Sequence, residues 1–285
     1  MTAPVVGFVG LGNMGTALAE NLVRAGYSVV AHDALGPRRV TEGYDYVDSA
    51  TDVALRAEIV VLSLPDGKAS EDVCRELAAA PDRRTTSIVD TSTVGVSSAQ
   101  DIAALLARRG VGYVDAPVSG GPAGARARTL MVMYAGSDED CARTESVLAG
   151  LSDCTRRVGT RPGMGQALKL ANNFLSATAL AATSEAIAFG QSVGLDMATM
   201  LQVLDASSGR NTATGDKFPA HVLTGKYASG FSNSLMAKDV RLYLDAAEAG
   251  VADLGALTAS VWERFAADEP GADFTRIYPY LAGGE

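Results

Sequence analysis

Residues 5–26, VVGFVGLGNMGTALAENLVRAG, run an apolar β-rich segment directly into an amphipathic helical pattern through Gly10, Leu11, Gly12, Asn13, Met14 and Gly15. Few folds admit a strand that turns into a helix through GxGxxG. The first glycine permits the tight turn, the second lets backbone approach a pyrophosphate, and the third lets the helix pack on the strand. The start of that helix presents free N–H donors and partial positive charge, which suits phosphate. The six residues from Gly10 to Gly15 are therefore read as binding a dinucleotide.

The rest of the first half repeats the alternation. YSVVAHD, EIVVLSLP, TSIVDTS, GVGYVDAP and LMVMYAG are β-rich and nearly continuous in apolar residues, with helical stretches such as SAQDIAALLARRG between them. That spacing predicts a doubly wound parallel sheet of the Rossmann type, buried on both faces. From Gly163 the pattern changes to about thirty helical residues with a stop at Gly194, then DMATMLQVLDAS, SNSLMAKDVRLYLDAAEAG and LGALTASVWERFAAD, all amphipathic. The expected architecture is an α/β nucleotide domain over residues 1–161, and an all-α substrate and oligomerisation domain over 162–285, joined by one long helix.

Charge narrows the partners. With 24 basic against 33 acidic residues the net charge is -9, which repels nucleic acid and anionic lipid. The most apolar stretch, Leu170 to Ala182, is too short and too polar to span a bilayer. No basic leader precedes the first apolar residues, and three cysteines without metal-like spacing fit a reducing compartment, so the chain is read as cytoplasmic. Two histidines leave little material for a metal site or a catalytic triad, and none is expected.

Asp33 closes the second strand about twenty residues after the glycines, where a carboxylate accepts from ribose hydroxyls and repels a 2′-phosphate. This favours NAD, although Arg38 and Arg39 leave NADP open. Lys169 is the one charged residue between Pro162 and Ser184. Its stem could simply pack while its head reaches solvent. Three features point instead to a proton carrier. Asn173 lies one helical turn on, the chain otherwise prefers arginine (19 of 24 basic residues), and an apolar setting lowers a lysine pKa toward neutrality. In DAPVSGG, Ser119, Gly120 and Gly121 follow a strand and offer a hydroxyl and glycine N–H groups to a carboxylate, or merely form a connection. Lys238, beside Asp239, reads alone as a solvated charge on an exposed helix face. Arg210 and Phe231 are weaker candidates.

GFVGLGNMG, DAPVSGG, GMGQALKLANN and LMAKDVRL, in this order along nearly the whole chain, resemble the β-hydroxyacid dehydrogenases. The resemblance is nearest to the 3-hydroxyisobutyrate-oxidising members. It implies Lys169 as the catalytic acid/base with Asn173 supporting it, and Ser119, Gly120 and Gly121 on the substrate carboxylate. It also implies Leu64, Pro65, Thr93 and Lys238 along the cofactor. A homodimer or homotetramer is expected, since so apolar a long helix suits burial against a second subunit. Arg128 stands where the family has glycine, and MYAG where MVGG is common, which puts the substrate in question. The alternatives are a tartronate semialdehyde reductase, an imine reductase, whose scaffold is similar but which typically lacks the lysine, and a non-catalytic nucleotide-binding protein.

Overall fold

The computed structural model describes residues 4–36, 43–247 and 252–283. The chain divides into two compact units, residues 1–169 and 170–285. The first is built from β1 (Val5–Val9), α1 (Asn13–Arg24), β2 (Ser28–His32), β3 (Tyr44–Tyr46), α2 (Ala50–Arg56), β4 (Ile59–Leu62), α3 (Gly67–Ala79), β5 (Ser87–Asp90), α4 (Val96–Ala107), β6 (Gly112–Asp115), β7 (Val118–Ser119), α5 (Gly121–Arg126), β8 (Met131–Ala135), α6 (Asp138–Leu151) and β9 (Cys154–Gly159).

One sheet runs β3-β2-β1-β4-β5-β6-β8-β7, with β9 on β8. The strands from β3 to β6 are parallel, the doubly wound order expected from the alternation. At the far edge β8 runs antiparallel to β6 and β7, so LMVMYAG forms a strand as read but reverses direction. Successive side chains leave a strand on opposite faces, and two cores divide accordingly. Phe8, Ala31, Val61 and Val114 enter the core beneath α1 and α6, whereas Val9, Val30, Val60 and Ile88 enter that beneath α2, α3 and α4. Each large side chain so buried contributes about 1.5–3 kcal/mol.

α7 (Met164–Ser192) is 29 residues long and stops where Gly194 takes φ +92°. Its later part belongs to the second unit with α8 (Met197–Asp205), a π-helical stretch (Ala213–Val222) containing Pro219, α9 (Asn233–Ala246), α10 (Asp253–Asp268), a 3-10 turn (Phe274–Arg276) and α11 (Ile277–Ala282). The last residues of the SNSLMAKDVRLYLDAAEAG segment lie outside the described residues. Trp262, Phe265, Phe218 and Ile187 are fully buried at the centre of this unit, and the Trp262 indole N–H donates to the Ala177 carbonyl at 3.3 Å. Among the described residues no helix is long and apolar enough to cross a membrane.

Candidate active site

Parallel strands end together, so the loops that follow them share one edge. A single register row, His32–Val9–Leu62–Asp90–Asp115, crosses five strands. The glycine turn, Asp33, Leu64–Pro65, Thr93 and the Ser119–Gly121 segment all lie just beyond it. The first unit thus brings every one of its sequence-predicted loop residues to the edge where open α/β sheets bind ligands.

The three glycines have separate steric reasons. Gly10 takes φ +97°, and a Cβ there would lie 2.3 Å from the Ser63 carbonyl oxygen. A Cβ on Gly15 would sit 1.9 Å from the Gly10 carbonyl oxygen, so helix and strand could not approach. Gly12 differs: a Cβ there meets nothing within 4 Å. Gly12 is also the N-cap of α1 and supplies no side-chain cap. The Asp33 carboxylate faces this turn, accepting from the Leu11 N–H at 2.6 Å and the Leu35 N–H at 2.8 Å. An open backbone turn at a helix start, flanked by a carboxylate, fits a dinucleotide's pyrophosphate and ribose. Arg38 and Arg39 lie outside the described residues.

Ser119 ends β7 and Gly120 caps α5 with φ 129°, followed by Gly121 at φ 67°. Arg128 also takes a left-handed φ, 60°, the region that favours glycine. Its guanidinium sits on the end of α6, donating to the Gly150 carbonyl at 2.7 Å, the Ala149 carbonyl at 3.0 Å and Asp153 at 2.7 Å. The side chain thus caps a helix terminus. Tyr134 of MYAG packs half-buried against the first core.

Lys169 is 7% exposed, which does not fit a lysine whose head simply reaches water. Asn173, 5% exposed, donates to the Asp239 carboxylate at 2.6 Å. Lys238 pairs with the other oxygen of Asp239 at 3.2 Å. The reading of this α9 face as exposed is corrected, because Asp239 is 2% exposed and Lys238 half-buried. Asp239 lies one turn from Met236 on the buried stripe, a spacing that would have found it. Of the weaker candidates, Arg210 is exposed beside Asp205, and Phe231 packs edge-on against Phe274.

Two buried carboxylates were also missed. Asp90 accepts from the Ser92 N–H at 3.0 Å and the Tyr113 hydroxyl at 3.2 Å, and burial raises its pKa. Asp115, the first residue of DAPVSGG, accepts from the backbone N–H groups of Gly163 and Gln166. Burial pushes its carboxyl up to about 6 against the pull of those two donors. Among the described residues no group of three or more His, Cys, Asp or Glu is placed to hold a metal ion.

A doubly wound sheet with this glycine turn, followed by a helical unit, defines an NAD(P)-dependent oxidoreductase. The family model for the NAD binding domain of 6-phosphogluconate dehydrogenase matches residues 5–159, and that for NAD-binding of NADP-dependent 3-hydroxyisobutyrate dehydrogenase matches residues 163–281. The 3-hydroxyisobutyrate dehydrogenase of Pseudomonas aeruginosa is 35% identical over 300 residues, spanning 98% of each chain. The 2-(hydroxymethyl)glutarate dehydrogenase of Eubacterium barkeri is 35% identical over 252 residues, 86% of this chain and 83% of that one. The structure of Mycobacterium tuberculosis 3-hydroxyisobutyrate dehydrogenase with L-serine matches with a TM-score of 0.89 at 31% identity, covering 98% of this chain and 99% of that one. The chain belongs to the β-hydroxyacid dehydrogenase family.

Proposed function

We propose that this dehydrogenase oxidises 3-hydroxyisobutyrate to methylmalonate semialdehyde with NAD, and that Lys169 is its acid/base. The observation that carries the reading is the burial of Lys169, 7% exposed, in the one stretch of α7 that has no other charge. Bound NAD(P) supplies the hydride acceptor at the nicotinamide ring. Lys169, as the neutral amine, takes the hydroxyl proton as the carbinol carbon loses hydride, and returns it when the aldehyde is reduced. The Ser119 hydroxyl and the Gly120 and Gly121 N–H groups hold the substrate carboxylate, which orients the reacting carbon. Asn173, its amide fixed by Asp239, orients the amine. Gly10 to Gly15 cradle the pyrophosphate, Leu64, Pro65, Thr93 and Lys238 line the cofactor, and Asp33 selects NAD by repelling a 2′-phosphate.

The L-serine named with the mycobacterial structure is itself a three-carbon β-hydroxy acid, which supports a small hydroxyl-bearing carboxylate as the substrate class. The name of the Eubacterium barkeri relative keeps a longer diacid in the comparison. The test runs NAD and NADP reduction in parallel over 3-hydroxyisobutyrate, L-serine and 2-(hydroxymethyl)glutarate, and NADH and NADPH oxidation over tartronate semialdehyde, with cyclic imines as the contrasting class of hydride acceptor. 3-Hydroxyisobutyrate with NAD should give the highest kcat/KM. A preference for cyclic imines, or turnover of none of them, overturns the reading.

The exposed face of α7 carries Leu168, Leu175 and Phe189, continued by Val193 just past its end, with Phe189 71% exposed. Such a stripe is costly in water, and burial against a second copy in a dimer or tetramer removes it. Light scattering of wild type and Phe189→Glu tests this: the variant should lose mass toward the monomer. With its acidic balance and three free cysteines, the protein is proposed to work in the cytoplasm.

A further inference from the structure

We propose that Asp115 and Gln166 are positioning residues that register the first turn of α7, and with it Lys169, against the loops following β4 and β5. The inference rests on the reading of Lys169 as the proton carrier.

A helix begins with backbone N–H groups that have no partner within it. At the start of α7 one carboxylate serves two of them: Gly163 N–H donates to Asp115 Oδ1 at 2.9 Å and Gln166 N–H to Oδ2 at 2.8 Å. Asp115 is the last residue of β6, so the bonds pin the helix to the sheet, and the carboxylate's charge meets the positive end of the helix. The approach is close enough that a Cβ on Gly165 would lie 2.7 Å from both Asp115 Oδ2 and the Met133 carbonyl oxygen.

Gln166, fully buried, reaches the other way. Its Oε1 accepts from Val94 N–H at 3.0 Å and Gly95 N–H at 3.2 Å, and its Nε2 donates to the Ser92 carbonyl at 3.0 Å. The Ser92 hydroxyl in turn accepts from Leu64 N–H at 2.8 Å. An unbroken path of hydrogen bonds therefore runs from Leu64 through Ser92 and Gln166 to Asp115, joining the loops that carry Leu64 and Thr93 to the helix that carries Lys169 one turn on. A buried amide with three such partners fixes both the rotation and the height of its helical turn. Reaction geometry is sensitive at this scale, an error of about 1 Å costing on the order of a hundredfold in rate.

A cap that only stabilises would change melting temperature and leave the folded enzyme's turnover alone. The test is steady-state kinetics of the full chain with NAD and 3-hydroxyisobutyrate or L-serine. Gln166→Met keeps the length and discards the amide bonds, and Lys169→Met is the reference. Gln166→Met should lower kcat about tenfold or more while both KM values stay within about twofold. In the Lys169→Met background it should change the residual rate less than about twofold, because the group it positions is gone. A folded Gln166→Met enzyme with wild-type kcat, or one with the same loss in both backgrounds, overturns the positioning role and leaves Lys169 in place. Wild-type turnover in Lys169→Met overturns the reading of Lys169 itself. If Gln166→Met does not fold, Asp115→Asn, which keeps one acceptor, decides by the same comparison. It should lose less kcat than Asp115→Ala.

Discussion

The sheet edge of the first unit holds two kinds of site, built in opposite ways. At β1 and β2 the glycine turn is made of backbone, and what matters is where a Cβ is forbidden: Gly10 and Gly15 would collide with carbonyl oxygens at 2.3 and 1.9 Å. At β5 and β6 the edge is made of side chains, with Asp115 and Gln166 tying down the turn before Lys169. A backbone site tolerates any chemistry that fits and fails by bulk. A side-chain site tolerates changes of bulk better and fails when a proton or a hydrogen bond is lost.

The sharpest break in that comparison is Lys169→Ala. Loss of a positioned proton carrier costs two to four orders of magnitude, about 3–5 kcal/mol in the barrier. We expect kcat to fall by at least about a hundredfold while NAD still binds, as read by quenching of intrinsic fluorescence. Lys169→Arg should be nearly as damaging, since guanidinium stays protonated. Weakened NAD binding that matched the loss of turnover would merge the two halves of the edge and end the distinction.

Next in size are two glycines that differ by three positions. Gly15→Ala forces apart backbone that cannot yield cheaply, and overpacking of this kind costs about 3 kcal/mol. Urea unfolding should show that loss. Gly12→Ala faces open space, so stability should hold within about 1 kcal/mol while NAD affinity drops about tenfold or more. Equal destabilisation by both substitutions would show that Gly12 serves the fold and not the ligand.

Asp115 gives a pH signature on the side-chain half. Its pKa is raised by burial to about 6 from an unfolded value of 3.8, so the fold favours the protonated acid. Stability linked to this group is fully present below the unfolded value and is lost as pH rises through about 6, a change on the order of 2–3 kcal/mol. Urea midpoints from pH 4 to pH 7 should fall by more in wild type than in Asp115→Asn, which has nothing to titrate. Parallel profiles would mean that Asp115 ionises no differently in the folded chain.

Much of this was legible from residue patterns. Near-continuous apolar runs locate β1, β2, β4, β5, β6 and β8, and each forms. β3, β7 and β9 are short or carry charge, as in Arg156 and Arg157, and lie toward the sheet's margins, where burial does not enforce an apolar run. The reversal of β8 was illegible because an apolar run reads the same in either direction. Glycine spacing reveals the backbone site because sterics leave so few alternatives. The side-chain site was half hidden: Lys169 stood out by its isolation, while Asp115, Gln166 and Asp239 act through partners distant in sequence. An aspartate closing an apolar strand, as in GYVDAP, must still be satisfied once buried. Asp90 and Asp115 both carried that signal.

Arg128 offers the smallest test, and it concerns a residue belonging to neither half. Its left-handed backbone costs roughly 1–2 kcal/mol relative to glycine. The guanidinium offsets this by capping the Ala149 and Gly150 carbonyls and pairing with Asp153. Arg128→Gly removes strain and caps together and gives the unfolded chain more freedom, so the net change should stay under about 1 kcal/mol. Since the side chain is committed to the end of α6, the ranking of hydroxy acids by kcat/KM should be the same in wild type and variant. A reordered ranking would return Arg128 to the substrate side and show that the sheet edge alone does not set specificity.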